Sequence, residues 1–397
     1  MTTDDSLCWD PYDPRFAKDP YPIYRRLRDE MPLYYNEKHD FYAMTRSADL
    51  ERCLPDWRTF SSARGGILEF VKSGIEIPPG TLIFEDPEIH DVHRRLLARV
   101  FTPRRIAALE PQVREFCVRT LDPLVGADRF DLVAAVGAQM PMRVIGMLFG
   151  IPEADQEALR DSADDSLRTE AGGQMDLKEG AILSNEMFGE YIDWRRENPS
   201  DDLMTTLLNT EFEDEDGVTR TLTRDEVLTY VTVVAGAGNE TTGRLIGWLG
   251  SVLAQHPDQR KELVEDPSLI TNAVEEVLRF EPPGPFIARY VTKDVEFHGS
   301  TVPAGSAMMF IVASANRDER RYPDPDRFDI HRDISQQMAF GLGVHYCLGA
   351  ALARLEGRVA LEEILRRFPQ WEVDWDNAKL AQTSTVRGWE TLPLIIR

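Results

Sequence analysis

Apolar positions recur at spacings of three and four residues along most of the chain, and period-two alternation is confined to one stretch. DPYPIYRRLRDEMP near the start reads as a short helix, and HDFYAMTRSADLERCL as a strand followed by a helix. After Pro87 a helical pattern runs through HDVHRRLLARVF, and Pro103 opens another over RRIAALEPQVREFCVRTLDPLV. Thr223 and Glu226 form a Thr-x-x-Glu capping box that starts an apolar run reaching about residue 254, where HPDQ ends it. At about 1.5 Å per residue this helix is near 45 Å long, enough to cross a domain, and we read it as central. Alternation is concentrated in RYVTKDVEFHGSTVPAGSAMMFIVAS, residues 289–314, with turn signals at 298–300 and 303–305; TLPLIIR at the end is a weaker strand signal. Acidic stretches at 152–180 and 211–217 read as exposed connections. The expected fold is mainly α with a small β region. No linker, repeat or low-complexity stretch divides it, so residues 1–397 form one domain.

Residues 60–84 fit neither period. They mix paired glycines, a double proline and large apolar side chains, and a loop that apolar is covered by the protein or by a ligand.

The chain of 397 residues, 42% hydrophobic and 28% charged, has the make-up of an ordinary globular protein. Its formal net charge of -23 argues against a nucleic-acid partner, because phosphate backbones repel an acidic envelope. The opening MTTDDSLCWD lacks the basic-then-apolar layout of a signal peptide. The most apolar run, residues 132–150, is broken by Gln139, Pro141 and Arg143, so no membrane span is expected and the chain is read as cytoplasmic.

Four scattered cysteines form neither a disulfide framework nor a paired zinc pattern. Cys347, in FGLGVHYCLG (residues 340–349), stands apart. It precedes a helical run, LGAALARLEGRVALEEILRRF, so unpaired N–H groups and the positive end of the helix dipole favour its thiolate, the metal-binding form. Gly341, Gly343 and Gly349 let a flat ligand or a neighbouring backbone come close. A buried cysteine in a glycine-rich turn is the plainer alternative. A zinc site using His345 and Cys347 lacks a second ligand pair, whereas an axial thiolate for haem iron needs no further protein ligand.

The spacing Phe340-x-x-Gly343-x-His345-x-Cys347-x-Gly349 resembles the haem-binding loop of the cytochrome P450 superfamily, and further family signatures follow the family's order. AGNETT, residues 237–242, lies inside the long helix. Gly236 and Gly238 each cost a helix interior up to ~1 kcal/mol relative to Ala, and a Thr241 hydroxyl bonded back to the Ala237 carbonyl tends to bend or open the ladder. Those residues by themselves fit an opened turn for a small ligand as well as close packing through small side chains. The resemblance implies the family's oxygen-binding groove, with Glu240 and Thr241 as the proton-delivery pair. Asn239 stands where many bacterial relatives carry another residue. Glu276-x-x-Arg279 resembles the family's buried pair, and PDPDRF would supply the third member, Arg327, in a structural role. His90 and Arg94, four apart on one helix, match with Arg289 and His345 the positions that bind the haem propionates.

The resemblance thus implies the P450 fold with its long helix over haem b, Cys347 as axial thiolate, and O2-dependent hydroxylation of an apolar small molecule. With no dinucleotide or flavin fingerprint and so no fused reductase, electrons would come from a ferredoxin and its NAD(P)H-dependent reductase, docking at Arg95, Arg99, Arg104 and Arg105 of a monomer. By position the substrate pocket would draw on Ile67, Leu68, Phe70 and Val71, on Val233, Val234 and Ala237, and on Phe286, Ile287 and Val386. These are apolar, in keeping with a terpenoid, steroid, aromatic or fatty substrate. Peroxygenase, desaturase or C–C cleavage chemistry at the same haem, and a non-enzymatic haem sensor, are the alternatives.

Overall fold

A computed structural model describes all residues except 1–6, 100, 158–160, 162–168, 171–172, 176, 178–187 and 215–216. Its axis is the central helix, Arg224–Gln255, 32 residues long. The predicted box caps it: the Thr223 hydroxyl accepts from the Glu226 N–H at 3.2 Å, and the Glu226 carboxylate accepts from the Thr223 N–H at 2.7 Å. The helix buries Leu245, Ile246, Leu249 and Leu253 in one large core shared with the helices Pro103–Leu121, Met140–Phe149, Ile270–Phe280 and Ala350–Arg367. Where it crosses the turn Val133–Gly137, a Cβ built on Gly243 would lie 2.6 Å from the Gly137 carbonyl oxygen, and one on Gly137 would lie 3.0 Å from that of Gly243. The two backbones touch, which only glycine at both positions permits.

The β region lies to one side. A five-stranded sheet runs in the order Leu33–Asn36, Phe41–Met44, Ala307–Phe310, Ile287–Val291 and Phe60–Ser61, and the pairing of Phe41–Met44 with Ala307–Phe310 is parallel. A second core cluster, around Trp9, Tyr24, Phe41, Ala288 and Met309, packs on it. A three-stranded sheet joins Trp371–Val373, Pro393–Ile396 and Arg129–Asp131. The fold is therefore mainly α with small sheets. The alternating stretch forms strands Ile287–Val291, Val295–Phe297, Ser300–Val302 and Ala307–Phe310, but its last apolar residues, Val312–Ala315, make a helical turn. Short apolar runs do not distinguish strand from buried helix. The acidic stretch near 211 is a small hairpin, with Phe212–Glu213 paired to Thr219–Arg220. Much of the stretch 152–180 lies outside the described residues. Among them, no helix is long and apolar enough to cross a membrane.

A buried ionic network ties the Ile270–Phe280 helix to the loop that follows the sheet. Glu276 and Arg279 are both fully buried and meet at 2.7 Å in a bidentate pair. Arg279 also donates to the carbonyls of Asn316 and Pro325, each at 2.9 Å. The third cation is not Arg327. Its side chain is 67% exposed and lies 3.9 Å from Asp329, while Arg332 reaches Glu276 at 3.2 Å and donates to the carbonyls of Pro323, Asp324 and Arg327. The loop turns its carbonyls inward onto Arg279 and Arg332, which puts the Arg327 guanidinium on the outer side.

Candidate active site

The Cys347 loop is shaped from within. Gly341 and Gly343 adopt φ of +67° and +72°, and a Cβ on Gly343 would lie 2.7 Å from Pro55 Cα, so neither turn nor packing admits a side chain there. The Cys347 N–H donates to the Phe340 carbonyl at 2.8 Å, and the helix begins at Ala350. Phe340 is buried beneath the Arg354 guanidinium, 4.4 Å from its ring centre. Cys347 keeps some open surface, although protein packs densely around the side chain.

Its thiol differs from the sequence-based expectation. Burial pushes the Cys347 thiol up, against the opposing effects of the Gly349 N–H and of Arg94 and Arg354. The helix end lowers the cost of charge without overcoming desolvation. A bound metal cation removes such a proton outright.

Four cationic or ionisable side chains from three elements converge beside this loop. The helix Ile89–Ala98 supplies His90, fully buried, and Arg94, whose guanidinium donates to the Tyr346 carbonyl at 2.7 Å. The strand Ile287–Val291 supplies Arg289, 6% exposed, whose one hydrogen bond given by the described residues goes to the Ala288 carbonyl. The loop supplies His345, its ring 4.5 Å from that of His90. Burial, then the charges of Arg289, His90 and Arg94, drive the His345 imidazole down to about 2. Burial also lowers His90 and Arg94, and takes Arg289 to about 10. Of the acidic neighbours, Asp86 is engaged by the Ser61 hydroxyl and the Ser62 N–H, and the exposed Asp91 meets His90 Nδ1, at 3.1 Å, which leaves His90 Nε2 facing inward. The Nε2 atoms of His90 and His345 are buried and have no hydrogen-bond partner among the described residues. Buried donors without acceptors are costly unless an anion meets them, and the two carboxylates of a haem fit this set.

The central helix borders the same region, with Thr229 beside Gly80 and Tyr230 beside His93. Ala237 is exposed in the middle of this largely buried helix, and the Thr241 hydroxyl donates to the Ala237 carbonyl at 2.9 Å, without interrupting the helix. Glu240 is buried and ion-paired with Arg244 at 2.6 Å.

The predicted pocket residues separate. Val233 and Val234 lie on the central helix near Ala237, and Ile67 and Phe70 cluster with Phe84 and Met175. Leu68 and Val71, three apart on the short helix Leu68–Ser73, turn the other way into the core around Trp9, where Phe286 also packs, 6.3 Å from the Trp9 ring. Val386 borders the same Trp9 region, and Ile287 packs with the sheet cluster that holds Phe60 and Met308. These five belong to the supporting core. Within the apolar loop that the sequence assigns to the pocket, Phe84 joins Ile67 and Phe70 without being singled out by any pattern, and Met175, from a distant stretch that no periodicity marks, is the unforeseen member.

Fold and site together define a haem-thiolate protein. The family model for cytochrome P450 matches residues 181–385. The chain is 38% identical to cytochrome P450 123 of Mycobacterium tuberculosis, over 99% of this chain and 98% of that one. It is 35% identical to the vitamin D(3) 25-hydroxylase of Pseudonocardia autotrophica, over 99% and 98%. Among solved structures, cytochrome P450 CYP109Q5 from Chondromyces apiculatus superimposes with a TM-score of 0.87 at 35% identity, covering 98% of both chains. This chain belongs to the cytochrome P450 family. It is an oxidoreductase of the monooxygenase type whose cofactor is haem with a cysteine thiolate ligand.

Proposed function

We propose that residues 1–397 act as a single P450 domain that hydroxylates an apolar small molecule, with Cys347 as the thiolate and His90, Arg94, Arg289 and His345 as the holders of the haem carboxylates. The observation that carries this reading is the convergence of two buried donors, His90 and Arg289, and two partly buried ones, Arg94 and His345, beside one glycine-framed cysteine, with the Nε2 atoms of both histidines lacking a partner among the described residues. When bound, the haem activates O2 and delivers one oxygen atom to a substrate C–H bond. The chain's own residues do the rest. Arg94 and Arg289 neutralise the carboxylates, and the packed histidines orient them. The Thr241 hydroxyl, anchored to the Ala237 carbonyl, keeps its lone pairs free to accept a proton donor in the groove. Glu240, on leaving Arg244, would take a proton from water and pass it on toward Thr241.

Ile67, Phe70, Val233, Val234 and Ala237 offer an apolar wall. Similarity to an enzyme named for vitamin D3 hydroxylation supports a steroid-like or terpenoid substrate. Electrons come from a ferredoxin and its reductase. Arg95, Arg99, Arg104 and Arg105 are exposed and close in sequence to Arg94, which touches the cysteine loop, so they offer an acidic ferredoxin a basic landing patch.

The test is spectroscopic. Reduced holoprotein under CO should show the red-shifted Soret band of thiolate ligation, and Cys347→Ser should abolish it while leaving a folded chain. Retention of that band by the variant sinks the assignment.

A further inference from the structure

Eight residues before His93, Glu85 closes the loop that precedes the helix of His90 and Arg94. One carboxylate oxygen accepts the buried Gly80 N–H at 2.7 Å, and the other lies 2.7 Å from His93 Nδ1, with both side chains more than nine-tenths buried. His93 in turn sets its ring edge-on to Tyr230 of the central helix, with centroids 5.5 Å apart and planes at 80°. The Glu85 main chain also holds the His345 ring. One residue therefore touches the loop, the helix of the carboxylate-binding donors and the cysteine loop. The segment it closes carries Gly80 at φ +92° against Thr229, the exposed Ile83, and Phe84, whose ring lies tilted against that of Phe70 with centres 5.1 Å apart.

We propose that Glu85 and His93 form a clasp that fixes the 74–84 segment over the substrate side of the site, making them positioning residues for bulky ligands. This rests on the haem reading above. His93 is one helical position from Arg94 but faces the segment and Tyr230 instead of the converging donors, so the clasp acts on the cover and not on the iron. A charge-assisted buried pair with a main-chain anchor holds a short loop far more tightly than its few apolar contacts do.

The experiment compares Glu85→Ala, His93→Leu and His93→Gln with the parent holoprotein. Hydrogen–deuterium exchange is followed over residues 74–84, and spectral titrations use imidazole and 4-phenylimidazole as small and bulky iron ligands. Loss of the clasp should deprotect 74–84 selectively in Glu85→Ala and His93→Leu. It should weaken 4-phenylimidazole about tenfold, the effect of one lost charge-assisted hydrogen bond, with imidazole within about twofold. His93→Gln retains a donor and should stay near the parent. Equal change for both ligands, exchange that rises across the whole chain, or protection of 74–84 equal to the parent in His93→Leu each overturns the clasp. Absence of a thiolate CO band in the parent overturns the haem reading alone, because the exchange contrast reads the clasp directly.

Discussion

Two inward-facing groups of charge are built on opposite terms. Around Glu276, every guanidinium arm finds a carboxylate or a carbonyl, and Arg279 and Glu276 have no exposed surface. Around His345, like charges crowd together, their ionisation is depressed, and two imidazole nitrogens have no partner among the described residues. The first group is finished by the chain alone and serves the fold. The second is finished only by an anion. Saturation and incompleteness distinguish scaffold from site more sharply than burial does, since both groups contain fully buried members.

The contrast can be broken most violently at Arg279. Arg279→Ala leaves the Glu276 carboxylate buried without its bidentate partner and should cost about 3–5 kcal/mol in chemical denaturation. A third buried charge tests whether lack of a partner suffices to make a site. Glu356 is 3% exposed, one of its oxygens has no partner among the described residues, and burial raises it to about 8. A carboxyl raised in the folded state gives stability that is whole below about pH 4.5 and is lost as pH rises toward 8. Glu356→Gln should therefore gain roughly 1–3 kcal/mol over the parent at pH 8 and nothing at pH 4, read from melting curves at the two values. Neither His90, Arg94, Arg289 nor His345 is a neighbour that shifts it, so an oxygen without a partner among the described residues marks here a costly core position and not a site.

Arg289→Ala should do the reverse of Arg279→Ala. The haem-free protein should melt no lower than the parent, because a depressed, crowded cation is gone, while haem affinity falls about tenfold by competition with a haem-binding acceptor. A lower haem-free melting point would place Arg289 with the scaffold. The finest discrimination lies in one loop. Arg332→Ala should destabilise by about 1–3 kcal/mol, and Arg327→Ala, which removes an exposed charge, by no more than about 0.5 kcal/mol.

That last pair shows where the sequence stops speaking. The capping box, the central helix and the cysteine loop were legible because each depends on residues a few positions apart. The choice between Arg327 and Arg332 depends on which way a loop turns its carbonyls, and that is decided by the buried helix it covers. The same limit applies to the apolar loop. Leu68 and Phe70 look alike in sequence, but a single turn of helix sends Leu68 to Trp9 and Phe70 to Phe84. The thiol of Cys347 was read from its helix end, a local feature, whereas its ionisation follows burial by distant elements.

The contact between Gly137 and Gly243 has a practical corollary for reshaping the cleft. It is a datum point, two positions beyond Thr241, from which the axial setting of the helix is measured. Libraries that vary Val233 and Val234, which we propose as part of the substrate wall, would recontour it while its position stays calibrated. Any side chain at 243 shifts the ruler itself, so selection for new substrates should let 233 and 234 drift while holding this crossing invariant.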